Sequence, residues 1–334
     1  MVKLEDIAAR LNISIAAVSR ALRNDDKISQ KTRNAVKRAA KEMGYIKSVA
    51  AARLAGGKTN NIAFIFNQKN RSRPYFADEV YSKLFQGLEE MAVETGYHLF
   101  VRVLKNESEE ALLFDHQISG ILYAGYFSDI MMGALKRRNI PFVCAGSGPA
   151  NGQDIDIVSL DVAKGSEDAI DYFVGMGHCR IGLINSDEKT MATSDIESGY
   201  KSAHLRHKLK LKRDYMLKSC NPEDSYDAMV KLMQLSKAPT AVLLYNDKMT
   251  LAAYQAVREL GLTIPDDVSI IGQFNTELLQ YCRPKPVMID YNVFEAGRRA
   301  LLHLVDKIER RSEPNAKVLL PPRITEGDSV LKIG

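Results

Sequence analysis

Leu4-Glu5-Asp6-Ile7-Ala8-Ala9-Arg10-Leu11-Asn12-Ile13-Ser14-Ile15-Ala16-Ala17-Val18-Ser19-Arg20-Ala21-Leu22 is the stretch whose reading decides the architecture. Its apolar residues Leu4, Ile7, Ala8 and Leu11 fall at the i, i+3, i+4, i+7 spacing of one helix face. Asn12-Ile13 turns the chain, and Ser14 is placed to cap a second helix, Ile15 to Leu22, with Val18 and Leu22 inward. Two helices joined by so short a turn read as a helix-turn-helix, whose second helix enters the DNA major groove. That helix turns Ile15, Ala16, Ala17, Ser19 and Arg20 outward. Arg20 is the candidate base reader, because a bidentate arginine–guanine contact is worth roughly 1–3 kcal/mol of discrimination. A phosphate contact is its plainer role. Ile15 and Ala16 are suited only to touching thymine methyls or excluding a wrong base.

Working outward, Ser29-Gln30-Lys31-Thr32 opens a third helix that reaches Met43 and is stopped by Gly44. The expected core is Leu4, Ile7, Leu11, Val18, Leu22, Val36, Ala40 and Met43, and so small a core is marginal alone. Ser14, Ser19, Ser29, Thr32 and Tyr45 are suited to donating hydrogen bonds to phosphates. The next segment, Ser48 to Ala55, is alanine-rich and ends at Gly56-Gly57. It is too short to hold a helix alone in water. Leu54 beside Arg53, next to a DNA-binding module, suggests a minor-groove wedge; a plain linker is the alternative.

Charge follows the same division. Residues 1–59 hold 13 Lys and Arg against 5 Asp and Glu, a charge of +8, while the whole chain carries +5 and the remainder therefore −3. The basic excess lies entirely in the N-terminal segment, the footprint expected for phosphate contact. At 334 residues the chain is expected to hold two or three domains. No apolar run approaches a membrane span, and the N-terminus has no apolar signal core, so a cytoplasmic location without membrane contact is expected. Cys144, Cys179, Cys220 and Cys282 lack C-x-x-C spacing, which argues against zinc and against a disulfide scaffold. Two of them lie in or beside apolar runs and read as buried free thiols. The six histidines show no metal-binding spacing, and His204-x-x-His207 reads as part of a solvated basic helix face with Lys201, Arg206 and Lys208. No phosphate loop or nucleophile motif stands out, so no cofactor and no enzymatic activity are expected.

From Asn61 onward short apolar runs alternate with helical periods. Ile62–Phe66, Tyr97–Leu104, Ile118–Ala124, Phe142–Ala145, Ile157–Leu160, Ile181–Ile184, Ala241–Tyr245 and Val268–Ile271 read as strands. Tyr75–Gly96, Ala163–Gly175 and Lys248–Leu260 read as helices. Continuous apolar strands separated by helices argue for an α/β class with parallel sheets covered on both faces. There are more units than one sheet usually holds, so two lobes are inferred. Ligands in such sheets sit beyond the carboxyl ends of the strands.

The stretches Leu4–Ala8, Asn12–Ser14, Ala17–Leu22, Ile28–Arg33 and Gly44-Tyr45 closely resemble the LacI/GalR family of bacterial transcription regulators, and the similarity runs over essentially the whole chain. The resemblance implies a three-helix helix-turn-helix domain (1–47), a hinge helix and linker (48–59), and a two-lobed effector-binding and dimerisation domain (60–334) like the periplasmic sugar-binding proteins. Lobe 1 would hold about 60–160 and 291–321, lobe 2 about 161–290 and 322–334. Ala51–Gly56 is similar to the family's hinge helix, and Leu54 to the leucine that wedges into a central base step. Ile15 and Ala16 match the pair that helps choose the operator half-site. Arg23 stands where the family usually has Asn. Leu4, Ala17 and Ala51 complete the expected DNA-contact set.

The resemblance also implies an effector pocket, and here the sequence departs from the pattern. Asn246-Asp247 matches an Asn-Asp pair near the ligand, with helix capping as the plainer role. Tyr75-Phe76 matches an aromatic pair that serves equally as core. Ile196 stands in place of a ligand-gripping Arg, Phe274 in place of an Asp that accepts sugar hydroxyls, and Gly146 in place of another Asp of some members. Each sugar hydroxyl left unpaired costs about 1–3 kcal/mol. A ring stacked on Phe274 with Asn275, Ser147, Ser194 or Gln273 at its edge is the remaining way to hold a sugar. The expectation is a homodimeric repressor of a carbohydrate-utilisation operon, binding a palindromic operator under control of a small molecule, a sugar or glycoside. The alternatives are a degenerate or non-sugar site controlled by a partner protein, and a sugar-modifying enzyme with a DNA-binding head.

Overall fold

Heptad-like spacing in the first forty-five residues and continuous apolar runs afterwards produce two different kinds of core. In the computed structural model, the described residues are 2–22, 25–45, 59–67, 79–104, 118–125, 129–146, 155–188, 190–311 and 317–334. The chain divides into two units, Met1–Thr59 and Asn60–Gly334.

The first unit holds α1 (Leu4–Leu11), α2 (Ile15–Leu22) and α3 (Gln30–Glu42). Ile7, Ala8, Val18, Ala21, Val36, Ala39 and Ala40 are its buried core. Leu4, Leu11, Leu22 and Met43, expected inside, are only partly buried around it, and four alanines take the centre. Small residues at the centre let the three short helices approach closely, which leaves the larger side chains at the rim.

The second unit contains two six-stranded sheets. The first is built from β1 (Asn61–Asn67), β2 (His98–Leu104), β3 (Gly120–Gly125), β4 (Phe142–Ala145), β5 (Ile157–Leu160) and β11 (Lys317–Leu320). Its order is β11-β5-β4-β3-β1-β2, and all its pairs are parallel. The second sheet takes β6 (Ile181–Ser186), β7 (Met216–Ser219), β8 (Ala241–Leu244), β9 (Ser269–Gln273), β10 (Val287–Asp290) and β12 (Arg323–Ile324). Its order is β12-β10-β9-β8-β6-β7, with β12 alone antiparallel. The chain thus passes from the first sheet to the second after β5, returns after β10, and crosses again after β11.

Helices cover both sheets: α4 (Glu79–Thr95), α5 (Asp129–Arg137) and α10 (Val293–Ile308) belong with the first, and α6 (Val162–Gly175), α7 (Met191–Arg206), α8 (Pro222–Met233) and α9 (Asp247–Glu259) with the second. Their apolar faces bury Leu84, Leu88 and Met91 on α4, and Ala300, Leu301 and Leu304 on α10. The α4–α10 crossing is set by paired glycines. A Cβ at Gly87 would lie 2.0 Å from the Phe294 carbonyl oxygen, and one at Gly297 would lie 2.1 Å from that of Leu84. Only glycine at both positions lets these backbones meet.

The boundaries of the expected strands and helices differ from the sequence reading by a residue or two, except that α4, expected from Tyr75, is described from Glu79, with residues 75–78 outside the described residues. β2 begins at His98 because the Tyr97 amide is used to close α4, donating to the Ala92 carbonyl at 2.9 Å. The solvated reading of His204 is corrected. His204 is buried, with Nδ1 2.8 Å from the Tyr200 carbonyl, because it lies one turn after Tyr200 on the inner side of α7. His207 is half-buried against Asp171 at 2.6 Å. Of the cysteines, Cys144 is buried and its thiol is pushed up to about 12 by burial. Cys179 stands exposed although it borders the apolar run of β6, since it belongs to the turn before the strand. No helix among the described residues is long and apolar enough to cross a membrane.

Candidate functional site

The head is assembled by local hydrogen bonds. Asn12 takes a left-handed conformation (φ 52°) at the end of α1, and the Ile13 amide donates to the Ala8 carbonyl at 3.1 Å. Ser14 Oγ accepts from the Ala17 amide at 3.1 Å and so starts α2. With Val18 and Ala21 buried, the opposite side of α2 carries Ile15, Ala16 and Arg20 exposed, with Ala17 and Ser19 half-buried. Ile15 is 47% exposed, an apolar side chain with no place in the core. Ser29 caps α3, its Oγ accepting from the Thr32 amide at 3.2 Å and lying 2.8 Å from Thr32 Oγ1. Both hydroxyls therefore already serve the cap. Tyr45 and Leu4 pack at the rim of the core. Arg23, Ala51 and Leu54 lie outside the described residues.

In the second unit the strand ends bring together Tyr245, Asn246, Asp247, Gln273, Phe274, Asn275 and Tyr291. Asn246 is the N-cap of α9, its Oδ1 accepting from the Met249 amide at 2.9 Å. Asp247 opens that helix and is buried. Phe274 is 8% exposed and held at φ 59° at the end of β9. Its ring centroid lies 5.0 Å from that of Tyr291 and 6.2 Å from that of Tyr245. The ring packs against these neighbouring aromatics and also borders the cavity beside them. Ile196 is fully buried in the same core cluster as Phe274 and Tyr291, and its carbonyl accepts from Ser166 Oγ at 2.8 Å. Ser194 is exposed and its Oγ bonds back to the Thr190 carbonyl at 3.2 Å. Gly146 follows β4 with φ 99°, a conformation that suits glycine and penalises any residue with a side chain. Tyr75, Phe76 and Ser147 lie outside the described residues.

Three features of this region were not read from the sequence. The Tyr291 hydroxyl donates to Gln273 Oε1 at 2.5 Å, which leaves the buried Gln273 Nε2 without a partner among the described residues. Lys83 Nζ on α4 donates to the Asn275 carbonyl at 3.0 Å, and the Glu277 amide donates to Glu79 Oε1 at 2.9 Å. These two bonds tie the helix of the first sheet to the turn after β9 of the second. A cavity of about 300 Å³ lies beside them, lined by residues that include Val80, Lys83, Phe274, Thr276 and Tyr291. Half-buried Asp195 on α7 is the third, its carboxyl held above the ordinary range by burial and by Asp161. Tyr291 follows a strand at a sheet-to-sheet crossing, and that position is the signal that marks it.

A small basic helix-turn-helix head joined to two parallel sheets linked by three crossings defines a DNA-binding regulator with a periplasmic-binding-protein-like body. The description "Bacterial regulatory proteins, lacI family" matches residues 3–48, and "Periplasmic binding protein-like domain" matches residues 170–330. The "HTH-type transcriptional repressor CytR" of Escherichia coli (strain K12) is 30% identical over 312 residues, covering 92% of this chain and 89% of that one. The "Probable HTH-type transcriptional repressor ExuR" of Bacillus subtilis (strain 168) is 30% identical over 342 residues, covering 100% of this chain and 99% of the relative. Among solved structures, the lac repressor dimer bound to operator and the anti-inducer ONPF matches with a TM-score of 0.86 at 20% identity over 99% of each chain. The chain belongs to the LacI family of bacterial regulatory proteins, and its named relatives are repressors rather than enzymes.

Proposed function

We propose that this protein is a cytoplasmic transcriptional repressor that binds a palindromic operator as a homodimer, with its affinity set by a small molecule held between the two lobes. The outward face of α2 carries the reading: an arginine and an exposed isoleucine are offered by a helix that buries only Val18 and Ala21, within a segment of charge +8. Arg20 reads a base edge, while Ser14, Ser19, Ser29, Thr32 and Tyr45 contact the backbone, with Leu4, Ile15, Ala16 and Ala17 fitting the groove. Arg23, Ala51 and Leu54 extend the contact set through the hinge. Two copies of the head on a two-fold site supply register and affinity that one copy lacks.

For the effector, a sugar or glycoside in the cleft is supported by the relationship of the fold to a regulator–cellobiose complex, which matches with a TM-score of 0.72 at 23% identity. Asn246, Asp247, Ser194 and Asn275 supply polar groups, and Tyr75, Phe76 and Ser147 complete the proposed contact set. The burial of Ile196 and Phe274 favours a second reading, in which the cleft is poor in sugar-gripping groups and a partner protein supplies control. Selection of duplexes from a random pool by the full chain tests the DNA reading. Enrichment of a two-fold-symmetric sequence, bound with a steep loss of affinity in salt, is expected. A pool that stays unenriched, or a flat salt response, defeats it.

A further inference from the structure

The most concentrated charge in the second unit lies far along the chain from the head. Residues 201–218 hold seven Lys and Arg against one Asp, in a body that is otherwise acidic. Lys201 pairs with Glu197 and Arg206 with Glu167 and Asp171, whereas Lys208, Lys210, Arg213 and Lys218 make no ion pair among the described residues. All four are exposed.

Arg213 and Lys218 border a groove of about 460 Å³ between α7 and the segment leading into β7, with Lys208 and Lys210 nearby in the chain. Leu183, Leu211, Met216 and Leu217 give it an apolar lining and Lys212, Arg213 and Lys218 a basic one, while Glu197 in its wall is neutralised by its ion pair with Lys201. Leu211 is 44% exposed, and neighbouring Leu205 is 80% exposed. β7 is the end strand of its sheet, bonded to β6 on one side. Lysine guards exposed strand edges, which accounts for Lys218 but neither for Lys208, Lys210 and Arg213 nor for the apolar hollow beside them.

We propose that this groove docks an acidic peptide segment of a partner protein, anchored by an aliphatic side chain in the apolar hollow and by carboxylates on the basic rim. The open edge of β7 can add such a segment as a further strand, where backbone bonds give affinity and alternate side chains give specificity. Nucleic acid fits less well. No aromatic side chain lines the groove to stack a base, and the nearby Tyr215 ring is buried beneath Lys212 Nζ at 4.5 Å. A second copy of this chain on a two-fold axis would set the same basic lining against itself. The groove shares no lining residue with the cavity beside Phe274.

A fluorescein-labelled peptide of alternating Glu and Leu, titrated with the full chain by anisotropy, tests the proposal. Saturable binding is expected, weakened at least about tenfold by Arg213→Glu combined with Lys218→Glu, and weakened by Leu211→Asp. Duplex DNA affinity should be unchanged by these exposed substitutions, and Arg20→Glu in the head should leave peptide binding intact. Four outcomes overturn it: no saturable peptide binding, equal affinity for an all-Glu peptide, loss through Arg20→Glu instead of the groove variants, or groove variants that weaken duplex DNA and spare the peptide. The last would assign the groove to nucleic acid.

Discussion

Phe274 and Tyr291 hold their rings 5.0 Å apart with planes tilted by 42°, one ring ending β9 and the other following β10 at the return crossing. Phe274→Ala removes one half of this pair and leaves the backbone at φ 59°, a conformation that alanine also resists. The expected loss of stability is about 3–5 kcal/mol, read as a lower urea midpoint. A loss under about 1 kcal/mol would mean the ring is not part of the packed core.

The α6–α7 contact leaves no room for a side chain at Gly199. A Cβ there would lie 2.2 Å from the Ala163 carbonyl oxygen. Gly199→Ala should destabilise by roughly 1–3 kcal/mol through forced separation of the helices, although alanine favours helix in isolation. Thermal unfolding of the two proteins compares them directly. A rise in Tm would contradict the close packing.

Asp156 is fully buried, with Lys307 Nζ bonded to Oδ2 and His303 Nε2 2.9 Å from Oδ1. Lys307→Met removes the cationic partner on Oδ2 of a buried carboxylate and should cost about 3–5 kcal/mol. Asp156→Asn combined with Lys307→Met should recover part of that loss, because the buried charge is gone. A double variant no better than the single one would show that packing, not charge, holds this corner.

Two buried histidines link stability to pH. Burial holds the His204 imidazole below its ordinary 6.5, opposed by the Tyr200 carbonyl and reinforced by His207. Burial likewise lowers His178, opposed by the Leu331 carbonyl. Both groups stay neutral in the folded chain while the unfolded chain protonates first as pH falls. Their contribution is complete above pH 6.5 and declines below it, until pH reaches the depressed folded values. Urea midpoints at pH 8 and pH 5.5 should differ in that direction, with the difference reduced in His204→Phe.

Arg20→Ala should relax base preference at one position per half-site by roughly 1–3 kcal/mol while non-specific binding falls little. Competition between the selected duplex and single-base variants of it measures this. Uniform weakening across all duplexes would reassign Arg20 to a phosphate.

The head and most strands were legible because their signals are local: helix-face spacing with Ser14 and Ser29 as caps, and apolar runs such as Ile62–Phe66. β7, β10, β11 and β12 were not: Met216–Ser219, Lys317–Leu320 and Arg323-Ile324 are short end strands in mixed sequence, chosen by pairing rather than by pattern, and Val287–Asp290 is a four-residue strand directly after Pro284 and Pro286. The cleft was legible in composition and not in geometry. Ile196 and Phe274 could be flagged as unusual from sequence, whereas their burial depends on Tyr245 and Tyr291, which arrive from distant strands. Lys83 meets the Asn275 carbonyl across 192 residues of chain, a separation no local rule reaches.

The three crossings between the sheets also impose an order on synthesis. The first sheet needs α10 to cover it and β11 to complete it, and both are made only after β6 to β10 of the second sheet. A ribosome delivering the chain from its N-terminus therefore holds the first sheet unfinished while the second nears completion, with the apolar surface of β1 to β5 awaiting its cover. The first lobe to be started is not the first that can be closed, and that interval is when this protein is most exposed to aggregation and most dependent on a chaperone.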